Sequence, residues 1–252
     1  MRTRATLLVI SVLSGVMVFA RAQGFRENST TIANVPYDGR FIYARLKYTS
    51  ASFGGFGGRM DPMWNHDYPR SDHTFPKILS ELTTMQARFD ASNVFTADDP
   101  ELLKFPMVYL CEVGAWRPTD AEVAGLRRYL VKGGFVLVDD FRGEGQWSHF
   151  LEQLARVLPD ARPIRLDATH PVFNAFYRIE DIDFRGNERG GPPEFFGVFE
   201  DNDPTRRLMM VIDYNFDISE YWEYATSGFA PVQETNEAFQ LGINYIMYTL
   251  TH

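Results

Sequence analysis

Thr119 to Asp140 reads TDAEVAGLRRYLVKGGFVLVDD, and this stretch decides the fold. Thr119 is followed three residues later by Glu122. That is a capping box, in which each side chain takes a backbone N–H left open at a helix start. Val123, Leu126, Leu130 and Val131 recur at helical spacing as one apolar stripe. Gly133 and Gly134 stop the helix, because glycine adopts the left-handed cap conformation at little cost. Phe135 to Val138 is a continuous apolar run, the pattern of a strand covered on both faces. Asp139 and Asp140 close it. Ligands of open α/β sheets sit just beyond the carboxyl ends of such strands, so the two aspartates mark a first candidate site.

Working outward, Phe41 to Tyr48 alternates large apolar residues with basic ones and Phe105 to Val113 is apolar, so both read as strands. His73 to Gln86 reads as a helix with Phe75, Ile78, Leu79, Leu82 and Met85 inward, capped by Asp72, with Pro76 tolerated in its first turn. Asp98 to Leu103 is a linking turn, and Trp147 to Leu158 is a helix stopped by Pro159. Ile164 and Leu166 suggest a short strand. Phe195 to Phe199 and Leu208 to Ile212 read as a hairpin around Asp201 to Pro204. Asn236 to Leu250 is a closing helix with Phe239, Ile243, Ile246, Met247 and Leu250 inward. Strands alternating with helices predict a mainly parallel α/β sheet in one domain, residues 41–252.

Residues 1–22 carry Arg2 and Arg4, an uncharged apolar run from Ala5 to Ala20, and an Ala-Arg-Ala end. These are the three parts of a secretory signal peptide. The run is shorter than the roughly 20 residues of a spanning helix, so export with cleavage is expected, to the periplasm or beyond, with no membrane span afterwards. Residues 23–40 read as a flexible arm. The net charge of −8 becomes more negative once Arg2, Arg4 and Arg21 are removed. Such a chain is a poor partner for nucleic acid. Cys111 is the single cysteine, which excludes an intramolecular disulfide, and its apolar strand setting predicts a packed thiol rather than a nucleophile.

The order of strand, capped helix, GGFVLVDD and then Thr169-His-Pro-Val-Phe173 resembles the class I glutamine-amidotransferase-like superfamily. More narrowly it is similar to exported bacterial proteins grouped as domain of unknown function 4159. Asp213-Tyr-Asn-Phe-Asp-Ile-Ser-Glu-Tyr-Trp-Glu223 and Ala238 to Leu250 extend the likeness. The resemblance implies a flavodoxin-like three-layer α/β/α sandwich and no assigned activity. Active amidotransferases carry a Cys on a tight turn after a strand, with a later His and Glu. The matching turn here carries Asp139, Asp140 and Phe141, and no His-x-Glu pair precedes His252.

Among residues that bear chemistry, Asp139 and Asp140 are adjacent in a strand and point to opposite faces. A carboxylate pair would therefore need Glu112 or Asp213. An alternative use of either aspartate is to tie down loop backbone. His66, Asp67, Asp72 and His73 lie close together in a long glycine- and aromatic-rich loop. With Asp139 or Asp140 they form a candidate divalent metal set, although no cofactor is expected. Arg142 to Gln146 could meet an anion at a helix start near Trp147. His170 is a catalytic candidate in its His-Pro turn. Trp222 and Glu223, with Tyr221, Trp64, Trp116 and Phe56, suggest rings and carboxylates for gripping sugar or peptide.

The reading that follows is an exported, non-catalytic domain that binds a small ligand, a glycan or an envelope protein. Its crevice would be formed by Ser52–Arg70, Asp139–Gln146 and Asp213–Glu223. The alternative is a glycan or peptide hydrolase using Asp140 with His66 or His170 as acid and base.

Overall fold

The computed structural model describes residues 33–49, 62–184, 191–228 and 230–252. The expected signal peptide of residues 1–22, the first part of the arm (residues 23–32) and the glycine-rich Ser52–Gly58 with Phe56 lie outside them. By their contacts, Ile32–His252 form one compact unit.

Among the described residues seven strands form one sheet. They are β1 (Phe41–Leu46), β2 (Ala87–Phe95), β3 (Met107–Cys111), β4 (Phe135–Phe141), β5 (Ile164–Arg165), β6 (Glu194–Phe199) and β7 (Leu208–Tyr214). Their order is β2-β1-β3-β4-β7-β6-β5. The first five run parallel, and the β7–β6 and β6–β5 pairings are antiparallel. The fold is α/β with a mixed, mostly parallel sheet, and the expected hairpin is the β6–β7 pair.

The helices are α1 (Arg70–Leu82), α2 (Asp120–Val131), α3 (Gly143–Val157), α4 (Ile218–Glu223) and α5 (Val232–Thr251). α2 starts as its sequence requires. Glu122 N donates to Thr119 Oγ1 at 3.2 Å and Thr119 N donates to Glu122 Oε2 at 2.7 Å. Such a cap is worth about 1 kcal/mol. Gly133 takes φ +106°, and a Cβ on Gly134 would sit 2.3 Å from the Tyr129 ring, so the chain can turn straight into β4. In β4, Phe135 and Leu137 join the apolar cluster that includes α1, α4 and α5 residues. Val136 and Val138 join a second cluster with α2 and α3 residues. The continuous apolar run is thus buried on both faces.

Several expectations are corrected. β2 was not anticipated. It is an edge strand of mostly small and polar residues, with a register shift against β1 that leaves Phe89 to Ala91 unpaired. α1 begins at Arg70, and Asp72 lies buried within its first turn rather than capping it. β1 does not alternate, because all six residues are buried, Arg45 included. α3 starts at Gly143 rather than Trp147, and α5 at Val232 rather than Asn236. Val131, Leu82 and Leu250, expected inward, are exposed near helix ends. The arm is held down from residue 34. Asn34 exchanges two hydrogen bonds with the Val94 backbone, and Asn93 exchanges two with Val35, all along the outer edge of β2. Among the described residues no helix is long and apolar enough to cross a membrane.

Candidate functional site

The end of β4 and the segments that follow β1, β3 and β7 meet at one end of the sheet. Each contributes a non-glycine residue in the left-handed region: Asp67 (φ 60°), Glu112 (φ 51°), Asp140 (φ 55°) and Asn215 (φ 58°). Such conformations cost about 1–3 kcal/mol each and gather where surrounding structure enforces them. Asn215 shows the enforcement. Its N donates to Phe141 O at 3.0 Å and its Oδ1 accepts from Gly143 N at 3.0 Å. Asp140 N donates to Phe216 O at 3.2 Å.

Arg45 organises the floor. It is fully buried on β1 and paired with Asp72 at 2.5 Å. Its Nη1 also donates to Trp64 O at 3.1 Å and to His66 O at 2.8 Å. The guanidinium therefore fixes the loop that carries His66 and Asp67. Cys111 Sγ lies 3.3 Å from the same nitrogen. Burial pushes the Cys111 thiol well above its ordinary value despite the Arg45 charge. The packed-thiol expectation fits this position.

Asp139 and Asp140 have separate duties. Asp139 Oδ1 accepts from Ile218 N at 3.1 Å, and its Oδ2 accepts from Ser219 N at 3.3 Å and Tyr109 OH at 2.8 Å. It anchors the start of α4 and is not available to a ligand, which corrects its candidacy as a catalytic residue. Burial and the neighbouring Asp140 charge raise its pKa to about 7. Asp140 Oδ2 accepts from His66 Nδ1 at 2.5 Å. Its Oδ1 lies 3.2 Å from Arg142 Nη2, which is also 3.2 Å from Asp217 Oδ2. Burial alone would raise the Asp140 pKa. The His66 hydrogen bond and charge, with Arg142, outweigh burial and hold it below the ordinary carboxylate value.

The remaining acids respond in the opposite sense. Burial and then the Asp140 charge push Glu112 up to about 8. Burial and the charges of Asp140 and Asp67 push Asp217 well above its ordinary value. Asp213 is buried, donated to by Tyr245 OH at 2.9 Å, and raised by burial and Asp139. The Asp140 hydrogen bond raises His66 to about 10, although half of its side chain meets solvent.

These shifts set a pH dependence. Glu112 holds a proton in the folded chain that the unfolded chain releases above its ordinary 4.5. Its contribution to stability is therefore full below that value and is lost as pH rises through about 8. His66 acts in the same sense, from its ordinary 6.5 through about 10. In EDTA, urea unfolding is expected to show stability falling by on the order of 1–2 kcal/mol between about pH 5 and about pH 8 through Glu112. Glu112→Gln should make that fall shallower without abolishing it, because Asp139, Glu223 and His66 are also raised and lose stability in part of the same range. An unchanged slope in the variant would show that Glu112 is not buried among charges.

Of the candidates, the structure brings together His66, Asp67, Asp140 and Arg142. It adds Asp217, which the sequence reading passed over. Asp217 caps α4, accepting from Glu220 N at 3.0 Å. Asp217-Ile-Ser-Glu220 has the same spacing as Thr119 to Glu122, so the signal was present. Glu223 lies at the rim, 3.4 Å from Arg70, and burial followed by its hydrogen bond to Asp67 raises it to about 7.

Other candidates lie elsewhere. Trp222 is fully buried against Phe75, ring centroids 4.2 Å apart, and its Nε1 donates to Ala238 O at 3.2 Å, so it is a core residue. Trp64 and Trp116 are buried too. Asp72 is committed to Arg45, and His73 lines a cavity with Phe239, so neither joins a metal set with Asp140. At the start of α3, Arg142 N is taken by Gln146 Oε1 at 2.7 Å and Gly143 N by Asn215, which removes the anion seat. His170 caps a short 3-10 turn, accepting from Val172 N at 3.2 Å, and packs on Phe199. Phe199 pairs with Leu208, the first residue of β7. His170 thus lies at the opposite end of the sheet from Asp140 and cannot serve with it.

A family model described as Domain of unknown function (DUF4159) matches residues 43–250. No curated protein matches the chain.

Proposed function

Because the chain belongs to the family Domain of unknown function (DUF4159), a description that names no activity, we propose its function from the site itself. It is a non-catalytic domain that binds a small ligand, a glycan or an envelope protein, exported after removal of residues 1–22. Its fold is the glutamine-amidotransferase-like, flavodoxin-like three-layer sandwich. The parallel order β2-β1-β3-β4-β7, with apolar clusters on both faces, supports that fold. Flavodoxin-like sheets bind ligands where the strand order reverses beside β1 and β3. His66 and Asp67 follow β1 and Glu112 follows β3, which supports that end of the sheet as the binding crevice. The signal-peptide pattern of residues 1–22 supports export.

The observation that carries the non-catalytic reading is Asp140. The left-handed turn at the end of β4, the position of an amidotransferase nucleophile, holds a buried carboxylate bound to His66. A carboxylate there can position or neutralise a ligand but does not attack an amide as a thiolate does. Cys111, on the neighbouring strand, is sealed under Arg45.

The hydrolase reading keeps one supporting observation, the half-exposed His66 imidazole held by Asp140. Held protonated, that imidazole suits a general acid rather than a base.

Thermal-shift measurement on the full chain in EDTA, with cell-wall glycans and peptides as probes, tests the proposal. A binding probe is expected to raise the Tm of wild type and of Cys111→Ala equally, and to leave Asp140→Asn unmoved. No probe should be turned over, and glutamine should not be hydrolysed. A shift retained in Asp140→Asn would move the site elsewhere. Turnover that Cys111→Ala abolishes, with folding kept, would overturn the missing-nucleophile argument.

A further inference from the structure

We infer that His66, Asp67, Asp140 and Asp217 form a binding site for a divalent transition-metal cation, of the Zn2+ or Mn2+ class. This rests on the reading that the crevice at the ends of β1, β4 and β7 is the ligand site, and it names the first occupant. One ligand atom from each residue lies within 4.8 Å of the others. A six-coordinate cation with ligands about 2.1 Å away spans about 4.2 Å between opposite donors. The four groups therefore reach such an ion through rotamer shifts, and water completes the shell.

A second observation comes from the interior of the set. Asp140 is fully buried, yet its Oδ1 accepts no hydrogen bond. Its charge neighbour is Arg142, 3.2 Å away and shared with Asp217. A buried carboxylate oxygen is normally satisfied by a donor or a metal. The donors arrive from three chain segments, and three of the four residues are held from behind. Arg45 fixes the His66 carbonyl, Ser219 Oγ donates to Asp67 Oδ2 at 2.5 Å, and Glu220 N donates to Asp217 Oδ1 at 3.0 Å. Fixed second partners are what orient metal ligands.

Electrostatics point the same way. Among the described residues, Asp140 and Asp217 meet the cations His66 and Arg142, with Glu112 and Glu220 adding negative charge close by. The imidazole selects for Zn2+ or Mn2+ over Ca2+ or Mg2+, which prefer oxygen alone. The half-exposed His66 ring provides the entry path.

Isothermal titration of the EDTA-stripped full chain with ZnCl2 and MnCl2, in two buffers of different ionisation enthalpy near pH 7, tests this. One saturable site is expected. Affinity should fall at least about tenfold in Asp217→Asn and in His66→Gln. His66→Gln changes a half-exposed side chain, so it serves even if an aspartate variant fails to fold. Absence of saturable binding, binding of equal affinity in folded variants, or binding of Ca2+ alone would each overturn the cation site. An organic probe that still stabilises the wild type in EDTA, and not Asp140→Asn, would at the same time preserve the crevice reading. The two failures are thereby distinguishable.

Discussion

Arg45→Met is expected to destabilise the folded chain by about 3–5 kcal/mol, the usual consequence of removing one partner from a buried ion pair. Arg45 and Asp72 are both fully buried and 2.5 Å apart. The variant strands the Asp72 carboxylate in the interior and also strips donors from Trp64 O, His66 O and Ser71 Oγ. Urea unfolding should show a lower midpoint with an unchanged slope, and Tm should fall by roughly 6–20 °C. Arg45→Met with Asp72→Leu should recover much of the loss, because a well-packed apolar pair can replace a buried ionic one. Ligand and cation binding should remain impaired in that double variant, since nothing in it restores the hold on the His66 carbonyl. A loss below about 1 kcal/mol for Arg45→Met would mean that the pair is solvated.

Trp222→Ala is expected to cost about 3–5 kcal/mol, the range for emptying a large aromatic site in a core. Trp222 stacks on Phe75 and meets the Tyr43 ring edge-on, and Cζ2 of its indole would lie 2.5 Å from a Cβ built on Gly242. Packing that tight leaves little room for collapse, so a cavity persists. The Ala238 carbonyl also loses its indole donor. Trp222→Phe keeps most of the volume and should cost about 1–2 kcal/mol. A Trp222→Ala variant of near wild-type stability but weakened sugar binding would instead restore the ligand-gripping role suggested by its sequence setting.

The contrast between these residues and the Thr119–Asp140 block shows what was legible. The block is read by neighbours. Its cap spans three residues, its stripe follows the helical period and its stop is a glycine pair. β4 followed because its run of apolar residues is continuous, as burial on both faces requires, with the flanking α2 and α3 on one face and α1, α4 and α5 on the other. β2 was not read, because its alternating residues are small or charged and its pairing with β1 shifts register at Phe89 to Ala91, a long-range feature no local pattern encodes. The burial of Arg45 is not legible in the alternation of Phe41 to Tyr48, since it depends on the arrival of Asp72 from α1. At the site, Asp140 and His66 were identifiable from chemistry alone. The assignment of Asp139 to α4 and of Asp217 to the cluster depends on β7 lying beside β4, a long-range pairing that no local pattern encodes.

The clasp of Asn34 and Val35 on β2 has a consequence for the molecule among its neighbours. A parallel sheet ends in a row of free amide and carbonyl groups, which can template strand addition from another chain. At β2, the Asn34 side chain occupies the amide and carbonyl of Val94, and the Asn93 side chain holds the Val35 backbone alongside the same edge. Further along the same strand the ion-paired Arg88 and Asp90 make a charged border. At the far end, β5 is two residues long, too short to recruit a partner. The sheet therefore carries its own protection against edge-to-edge assembly, and residues 34–35 act as a safeguard against aggregation as well as a lead-in to β1.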